Sequence, residues 1–175
     1  MKGITYYELE LNKKLKFLVF NSPTDQTVDQ LNQIIDKHEM KLIFRLCDPI
    51  YDTAKIVNST VIDILIDDGD FPSSINISDT IKYIDAYMAE TDKQLCIGLH
   101  CKSGLGRSPV LTAILMMYYD NKTYDDYVKV VKVIRDTIPG SINRIQLLGL
   151  SMLDINKIRK QLTSDNKSKQ ICSIS

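Results

Sequence analysis

Apolar and polar positions fall in blocks along this chain, and the blocks switch between strand-like and helix-like spacing. Ile4 to Leu9 and Leu15 to Phe20 are dense in β-branched and aromatic residues and predict two strands, paired as a hairpin turned at Asn12-Lys13-Lys14. Pro23 and Thr24 precede a helix with Val28, Leu31, Ile34 and Ile35 on one face. Leu42 to Leu46 and Thr60 to Ile66 are short apolar strands, the second followed by the turn-rich run Asp67-Asp68-Gly69-Asp70-Phe71-Pro72-Ser73. Ile77, Ile81, Ile84 and Met88 form one stripe, which predicts a helix over Ile77 to Ala89. Leu95 to Leu99 is a further apolar strand, expected at the sheet centre, and Val110 to Tyr119 is apolar nearly all round, as a buried helix is.

Thr123 with Asp126 has capping-box spacing for a helix through Arg135, its stripe Tyr127, Val128, Val131 and Ile134, broken by Pro139-Gly140. Asn143 with Gln146 opens a last helix carrying Ile145, Leu148, Met152, Ile155 and Ile158. Strands alternating with helices imply an α/β fold, a small, largely parallel sheet with helices on both faces. Chemistry is then expected at the carboxyl ends of the strands. No internal repeat interrupts this order. The segment 163–175 is polar and poor in core residues and is expected to be a flexible tail after a catalytic domain spanning 1–162.

Composition narrows the function. A chain of 175 residues with 44% hydrophobic content can build one core. The 22 basic residues are balanced by 22 acidic ones, which argues against nucleic acid as a partner. No apolar run is long enough to cross a bilayer, and the N-terminal residues lack a signal-peptide pattern, so the body of the chain is expected in the cytoplasm. The four cysteines, Cys47, Cys96, Cys101 and Cys172, are widely spaced and match neither a zinc site nor a secreted disulfide framework. No metal and no cofactor are expected.

The candidate chemistry lies in His100-Cys101-Lys102-Ser103-Gly104-Leu105-Gly106-Arg107, between the predicted central strand and the buried helix. A free thiol titrates near ~8.5 and is mostly protonated at neutral pH. Backbone N–H groups wrapped at a helix N-terminus favour the thiolate, and the same donors bind a phosphate. Gly104 and Gly106 permit the tight turn, and Arg107 offers a planar fork for two phosphate oxygens. Cys101 is the candidate nucleophile, Lys102 to Arg107 the phosphate-binding loop, and His100 a hydrogen-bonding support. Ser108 stands where a hydroxyl can assist departure of the thiolate from a phospho-cysteine.

Together these motifs resemble the cysteine-dependent protein tyrosine phosphatases, specifically the phosphatase of regenerating liver (PRL) family of small prenylated dual-specificity enzymes. The likeness covers nearly the whole chain. It runs through Asn21-Ser22-Pro23-Thr24, Arg45 to Asp52, Asp67-Asp68-Gly69 with Pro72-Ser73, Gly104 to Arg107, Gln146-Leu147-Leu148 and Cys172-Ser173-Ile174-Ser175. The resemblance implies hydrolysis of phosphomonoesters on protein substrates through a phospho-cysteine. Two departures stand out: the family usually has alanine where this chain has Ser108, which predicts faster breakdown of the intermediate, and Lys102 and Ser103 replace small apolar residues. Lysine after the nucleophile is similar to inositide phosphatases and adds phosphoinositides as a second substrate class.

The general acid is one of Asp67, Asp68 and Asp70 by position, and the family pattern selects Asp68. Cys47 alone reads as a core cysteine; the resemblance implies a reversible disulfide with Cys101 that guards it from over-oxidation. Cys96 reads as core and His38 as a surface residue. Cys172-Ser173-Ile174-Ser175 fits a prenylation motif whose terminal serine favours farnesyl. The resemblance implies peripheral attachment to plasma membrane or endosomes, and binding of CBS-domain magnesium transport mediators through the active-site face.

Overall fold

The computed structural model describes residues 3–120 and 122–172, with side chains as far as Ser164. Its five-stranded sheet has the order β1-β2-β5-β3-β4. β1 (Tyr6–Asn12) and β2 (Leu15–Asn21) form the expected antiparallel hairpin. Its turn is closed by Asn12 Oδ1, which accepts from the N–H groups of Lys14 (2.8 Å) and Leu15 (3.0 Å). β3 (Met40–Arg45), β4 (Thr60–Asp63) and β5 (Leu95–Cys101) run parallel to β2, with β5 between β2 and β3.

All seven residues of β5 are buried, because helices cover both of its faces. Alternation along the strand sends Leu95, Ile97, Leu99 and Cys101 into the large core and Cys96 into the smaller one. The smaller core is closed by one helix, α1 (Val28–His38), through Leu31 and Ile35 against Leu18, Phe20 and Ile43. The larger one takes α2 (Ser74–Ala89), α3 (Arg107–Tyr119), α4 (Tyr127–Thr137), α5 (Arg144–Met152) and α6 (Ile155–Cys172). α3 is buried from Arg107 through Met117, as its uniform hydrophobicity implied. Neighbouring strands and helices deliver the carboxyl ends of β2, β3 and β5 to one edge of the sheet, and the loop after β5 opens there.

Element ends differ from the sequence reading for local reasons. α2 begins at Ser74, three residues before its apolar stripe, because Ser73 and Asn76 form a reciprocal capping box. α4 is capped by Asp126, whose side chain accepts from Val128 N–H, and not by Thr123. That start rotates the helix, so Val130 is buried beside Val131 and Ile134 while Val128 faces solvent. β4 leaves regular pairing after Asp63.

The predicted last helix is two helices. Leu153 is extended, and Asp154 Oδ1 caps the second helix at Asn156 N–H (2.9 Å) and Lys157 N–H (3.1 Å). α5 turns Gln146 and Leu150 inward, leaving Ile145, Leu148 and Met152 exposed, opposite to the expected stripe. Helical backbone continues to Cys172, through much of the segment expected as a flexible tail. What does end at Leu162 is packing, since Ile158 and Leu162 are the last buried apolar side chains described. His38 is also less superficial than expected, its side chain 8% exposed beside Glu8 and Tyr6. Among the described residues, no helix is long and apolar enough to cross a membrane.

Candidate active site

Cys101 is the last residue of β5 and Arg107 the first of α3, so strand and helix fix the two ends of the intervening loop. The loop is stitched to its surroundings by backbone bonds. Ser22 N–H donates to Lys102 O (3.1 Å), Leu46 N–H to His100 O (2.9 Å) and Ile142 N–H to Leu105 O (2.9 Å). Leu105 N–H donates to Ser103 Oγ (3.3 Å), a tie within the loop. Gly104 has φ +75, and an added Cβ would lie 2.9 Å from the Phe20 carbonyl carbon and oxygen. Only glycine fits there.

Burial alone would raise the Cys101 thiol. The Ser108 hydroxyl and the backbone N–H groups of Ser108, Gly104 and Gly106 outweigh it and hold the thiol below its usual value. Ser108 is wholly buried, and among the described residues its Oγ falls short of a formed hydrogen bond. It nonetheless lies near enough to the sulfur to favour the thiolate. A buried hydroxyl with no other partner is free to follow that sulfur as its charge changes.

The Arg107 guanidinium is itself buried and aimed by main-chain oxygens. Its Nη1 donates to Ile66 O (3.0 Å) and, more weakly, to Leu46 O (3.5 Å). Its Nη2 meets Asp68 Oδ1 at 2.9 Å, with the arginine side chain 8% exposed and the aspartate 83%. Among the described residues Asp67 and Asp70 make no side-chain hydrogen bond or ion pair; Asp67 lines the same cleft, but of the three candidate acids only Asp68 pairs with the loop. A cleft of about 310 Å³ opens here, lined by Cys47, Ile50, Leu65, Asp68, Lys102 and Arg107 among others. A larger cavity, about 410 Å³, lies between α4, α5 and α6 and contains none of the loop residues.

His100 is on the opposite face of β5, wholly buried, stacked on Phe20 (centroids 5.2 Å apart) and with Nε2 3.0 Å from the Tyr51 hydroxyl. Burial and the nearby Arg45 charge push its pKa down to about 3, so it is neutral and supports the loop. Arg45 is held by Asp63 through two contacts (2.5 and 2.9 Å) and donates to Tyr51 O (3.3 Å). Cys47 follows β3 close to Cys101. Burial pushes its thiol up, with the Ser22 hydroxyl and the Arg107 charge acting the other way. Cys96 is pushed up to about 12 by burial and is an inert core residue. Among the described residues no group of His, Cys, Asp or Glu is arranged to hold a metal ion. Cys172 ends the described backbone without a described side chain, and Ser173, Ile174 and Ser175 lie outside the described residues.

Sequence reasoning identified Asn143 and Gln146 only as a helix cap. They also hold the acid loop, residues 67–73: Asn143 Nδ2 donates to Gly69 O (3.1 Å) and Gln146 Nε2 to Asp70 O (3.3 Å). Ile142 was not singled out at all. It adopts φ +61, costly for a β-branched residue, and is held by Arg135, which donates to Ser141 O (3.2 Å) and Ile142 O (2.8 Å). In that conformation its N–H reaches the phosphate loop.

The dual specificity phosphatase catalytic-domain family matches residues 12–150 of this chain. The PRL-1 phosphatase of Drosophila melanogaster is 32% identical over 165 residues, covering 93% of this chain and 89% of the relative. Protein tyrosine phosphatase type IVA 2 of Mus musculus is 31% identical over 140 residues, covering 79% and 81%. Among solved structures, a protein tyrosine phosphatase of Leishmania major superposes with TM-score 0.76 at 21% identity, over 85% of this chain and 98% of the other. PTPMT1 in complex with PI(5)P gives 0.60 at 16% identity, over 91% and 99%. The two structural likenesses speak to the fold alone.

Proposed function

The chain belongs to the dual specificity phosphatase catalytic-domain family, within its PRL and type IVA branch, and on that premise we propose how its residues divide the work. It is a cysteine-dependent protein tyrosine phosphatase. The Cys101 thiolate attacks phosphorus, the ester P–O bond breaks, and Asp68 gives its proton to the departing oxygen. Arg107 and the loop N–H groups of Gly104, Gly106 and Ser108 bind the non-bridging oxygens and stabilise the charge that spreads over them. Water then attacks the phospho-cysteine, giving a proton to the Asp68 carboxylate left by the first step; the S–P bond breaks, and the Ser108 hydroxyl stabilises the thiolate as it leaves.

The observation that carries this reading is the Arg107–Asp68 contact at 2.9 Å directly beside a thiol whose pKa is lowered despite burial. An incoming phosphate displaces the Asp68 carboxylate from Arg107, and the freed group takes up a proton from solvent, which it then gives to the leaving oxygen. A panel of phosphotyrosyl, phosphoseryl and phosphothreonyl peptides with wild type, Cys101→Ser and Asp68→Ala tests it. Turnover that survives Cys101→Ser would sink it.

Phosphoinositides are a second reading, favoured by Lys102 in the cleft and by the solved PTPMT1 complex with PI(5)P. The rest of the lining supports the protein reading. Ile50 and Leu65 offer apolar walls suited to a tyrosyl ring, and Asp48 and Asp67 repel a polyanionic headgroup. Greater kcat/KM on a soluble short-chain phosphoinositide than on phosphotyrosyl peptides would reverse that ranking.

Three regulatory elements complete the proposal. Peroxide oxidises the Cys101 thiolate to a sulfenic acid, and the Cys47 sulfur displaces its oxygen as water to form a disulfide. Mass spectrometry after mild peroxide tests this; Cys101 sulfinic acid without a Cys47–Cys101 linkage rules it out. Farnesyl on Cys172 would attach the protein to plasma membrane or endosomes, reversibly, because one prenyl chain binds weakly; Cys172→Ser should lose the membrane signal. A CBS-domain magnesium transport mediator is the proposed partner at the active-site face, and a pull-down that is unaffected by blocking that cleft would count against it.

A further inference from the structure

Gly149 lies in the interior of α5, where glycine is the poorest helix former apart from proline. No turn or positive φ at Gly149 calls for it. Its explanation is Phe71, from the acid loop. A Cβ built on Gly149 would stand 2.8 Å from ring carbon Cε2 of Phe71, and closer still to Cγ and Cδ2. The ring occupies the space an alanine methyl would need. Two further ties join the same helix to the same loop, Asn143 Nδ2 to Gly69 O and Gln146 Nε2 to Asp70 O. Asp68 therefore sits immediately before three consecutive residues that are each fixed to α5.

We propose that α5 is the seat of the acid loop, and that Phe71 and Gly149 interlock as positioning residues for proton transfer from Asp68. This rests on Asp68 being the general acid. Asp68 is highly exposed, and its one side-chain tie among the described residues is to Arg107, the contact that phosphate must displace. Once that tie is broken, the seat is what keeps the carboxyl group within reach of the leaving oxygen. Glycine is needed there because any side chain would lift Phe71 and carry the loop with it.

The test uses the full chain and two aryl phosphates, phenyl phosphate with a poor leaving group and dinitrophenyl phosphate with a good one. A general acid matters for the first and hardly for the second. Asp68→Asn should lower the ratio of the two kcat values by about 100-fold. Gly149→Ala should lower the same ratio by about tenfold, through displacement of the acid. In a Phe71→Ala background Gly149→Ala should cost nothing further, since the methyl then has room. The rate of Cys101 alkylation by iodoacetamide should be the same in wild type, Gly149→Ala and Phe71→Ala, because those substitutions leave the phosphate loop and its Arg107–Asp68 pair in place.

An unchanged ratio in Gly149→Ala, or an equal loss with and without Phe71, overturns the seat. An unchanged ratio in Asp68→Asn overturns the acid assignment itself, a separate failure. If Gly149→Ala does not fold, Phe71→Ala alone decides: its ratio should fall about threefold, and no fall refutes the proposal.

Discussion

The phosphate loop and the acid loop meet at Arg107 but are secured by different means. Between Cys101, which ends β5, and Arg107, which begins α3, the chain has no freedom to wander. The surrounding residues are buried, and backbone bonds from Ser22, Leu46 and Ile142 tie it to three other segments. The acid loop follows a short edge strand and is held by side chains of a helix more than seventy residues later in the chain. The loop that must be preorganised for charge is anchored in the core at both ends, by Cys101 and Arg107. On the proposed mechanism, the loop that yields to substrate is docked onto the surface, with Asp68 paired to Arg107 until phosphate arrives.

If that contrast is right, damage to the two loops has different signatures. Cys101→Ser should cost about 10⁴-fold or more in kcat on every substrate, whatever its leaving group. Gly104→Ala should follow it, with a loss of about 100-fold that is likewise independent of the leaving group, because the methyl collides with main-chain atoms of Phe20 and deforms the cradle. Calorimetry should show lower thermal stability in the same variant. A Gly104→Ala loss confined to poor leaving groups would mean that the two loops are not separate devices.

Asp68→Asn sharpens the contrast by moving two quantities in opposite directions. kcat on phenyl phosphate falls, while inorganic phosphate inhibits more tightly because Arg107 no longer has a competing carboxylate. The aspartate is 83% exposed, so the lost pair is worth at most about 1 kcal/mol and the gain in phosphate affinity about fivefold. Weaker phosphate inhibition would show that Asp68 helps to hold Arg107 in place and does not compete for it.

The unequal legibility of the two loops in the sequence has the same origin. Cys101, Arg107 and the glycines are contiguous, their strand and helix are uniformly apolar, and so local pattern was enough to predict a buried strand, a turn and a buried helix. The parallel sheet, the hairpin and the Asn143–Gln146 cap were legible for the same reason. The acid loop's supports are long-range. Nothing local marks Ile142 as left-handed, since its conformation is imposed by Arg135, and nothing local joins Phe71 to Gly149. The stripe Ile145, Leu148 and Met152 suggested a core face, yet the polar Gln146 is the residue turned inward, because it serves two loops at once. Val128 misled in a similar way, because the cap at Asp126 set the rotation of α4.

Ser108→Ala acts within the phosphate loop, with a smaller effect. Removing a group that favours the thiolate raises the Cys101 pKa, so the acid limb of kcat/KM, which rises with pH as the thiol ionises, should move to higher pH. Breakdown of the phospho-cysteine should slow by about tenfold, roughly one hydrogen bond to the departing sulfur. A burst of leaving group followed by slower steady-state release would report it. His100, neutral down to about pH 3, should contribute no limb of its own near neutrality. An unmoved acid limb in Ser108→Ala would leave the backbone N–H groups as the whole support of the thiolate.

The smallest expected effect decides how the acid is identified. Asp67, Asp68 and Asp70 are all exposed and lie within four residues of one another. Their composition and local sequence are so alike that position alone cannot choose between them. What separates them is Arg107: Asp68 pairs with it, while among the described residues Asp70 bonds through its main chain, its carbonyl to Gln146 and its N–H to Asp67. Asp70→Asn preserves that carbonyl and removes only a solvated charge, so kcat on phenyl phosphate should stay within about twofold of wild type. A change of tenfold or more would mean that the side chain, and not just the main chain, of Asp70 enters the reaction. The acid loop would then have to swing further on substrate binding than its ties to α5 permit.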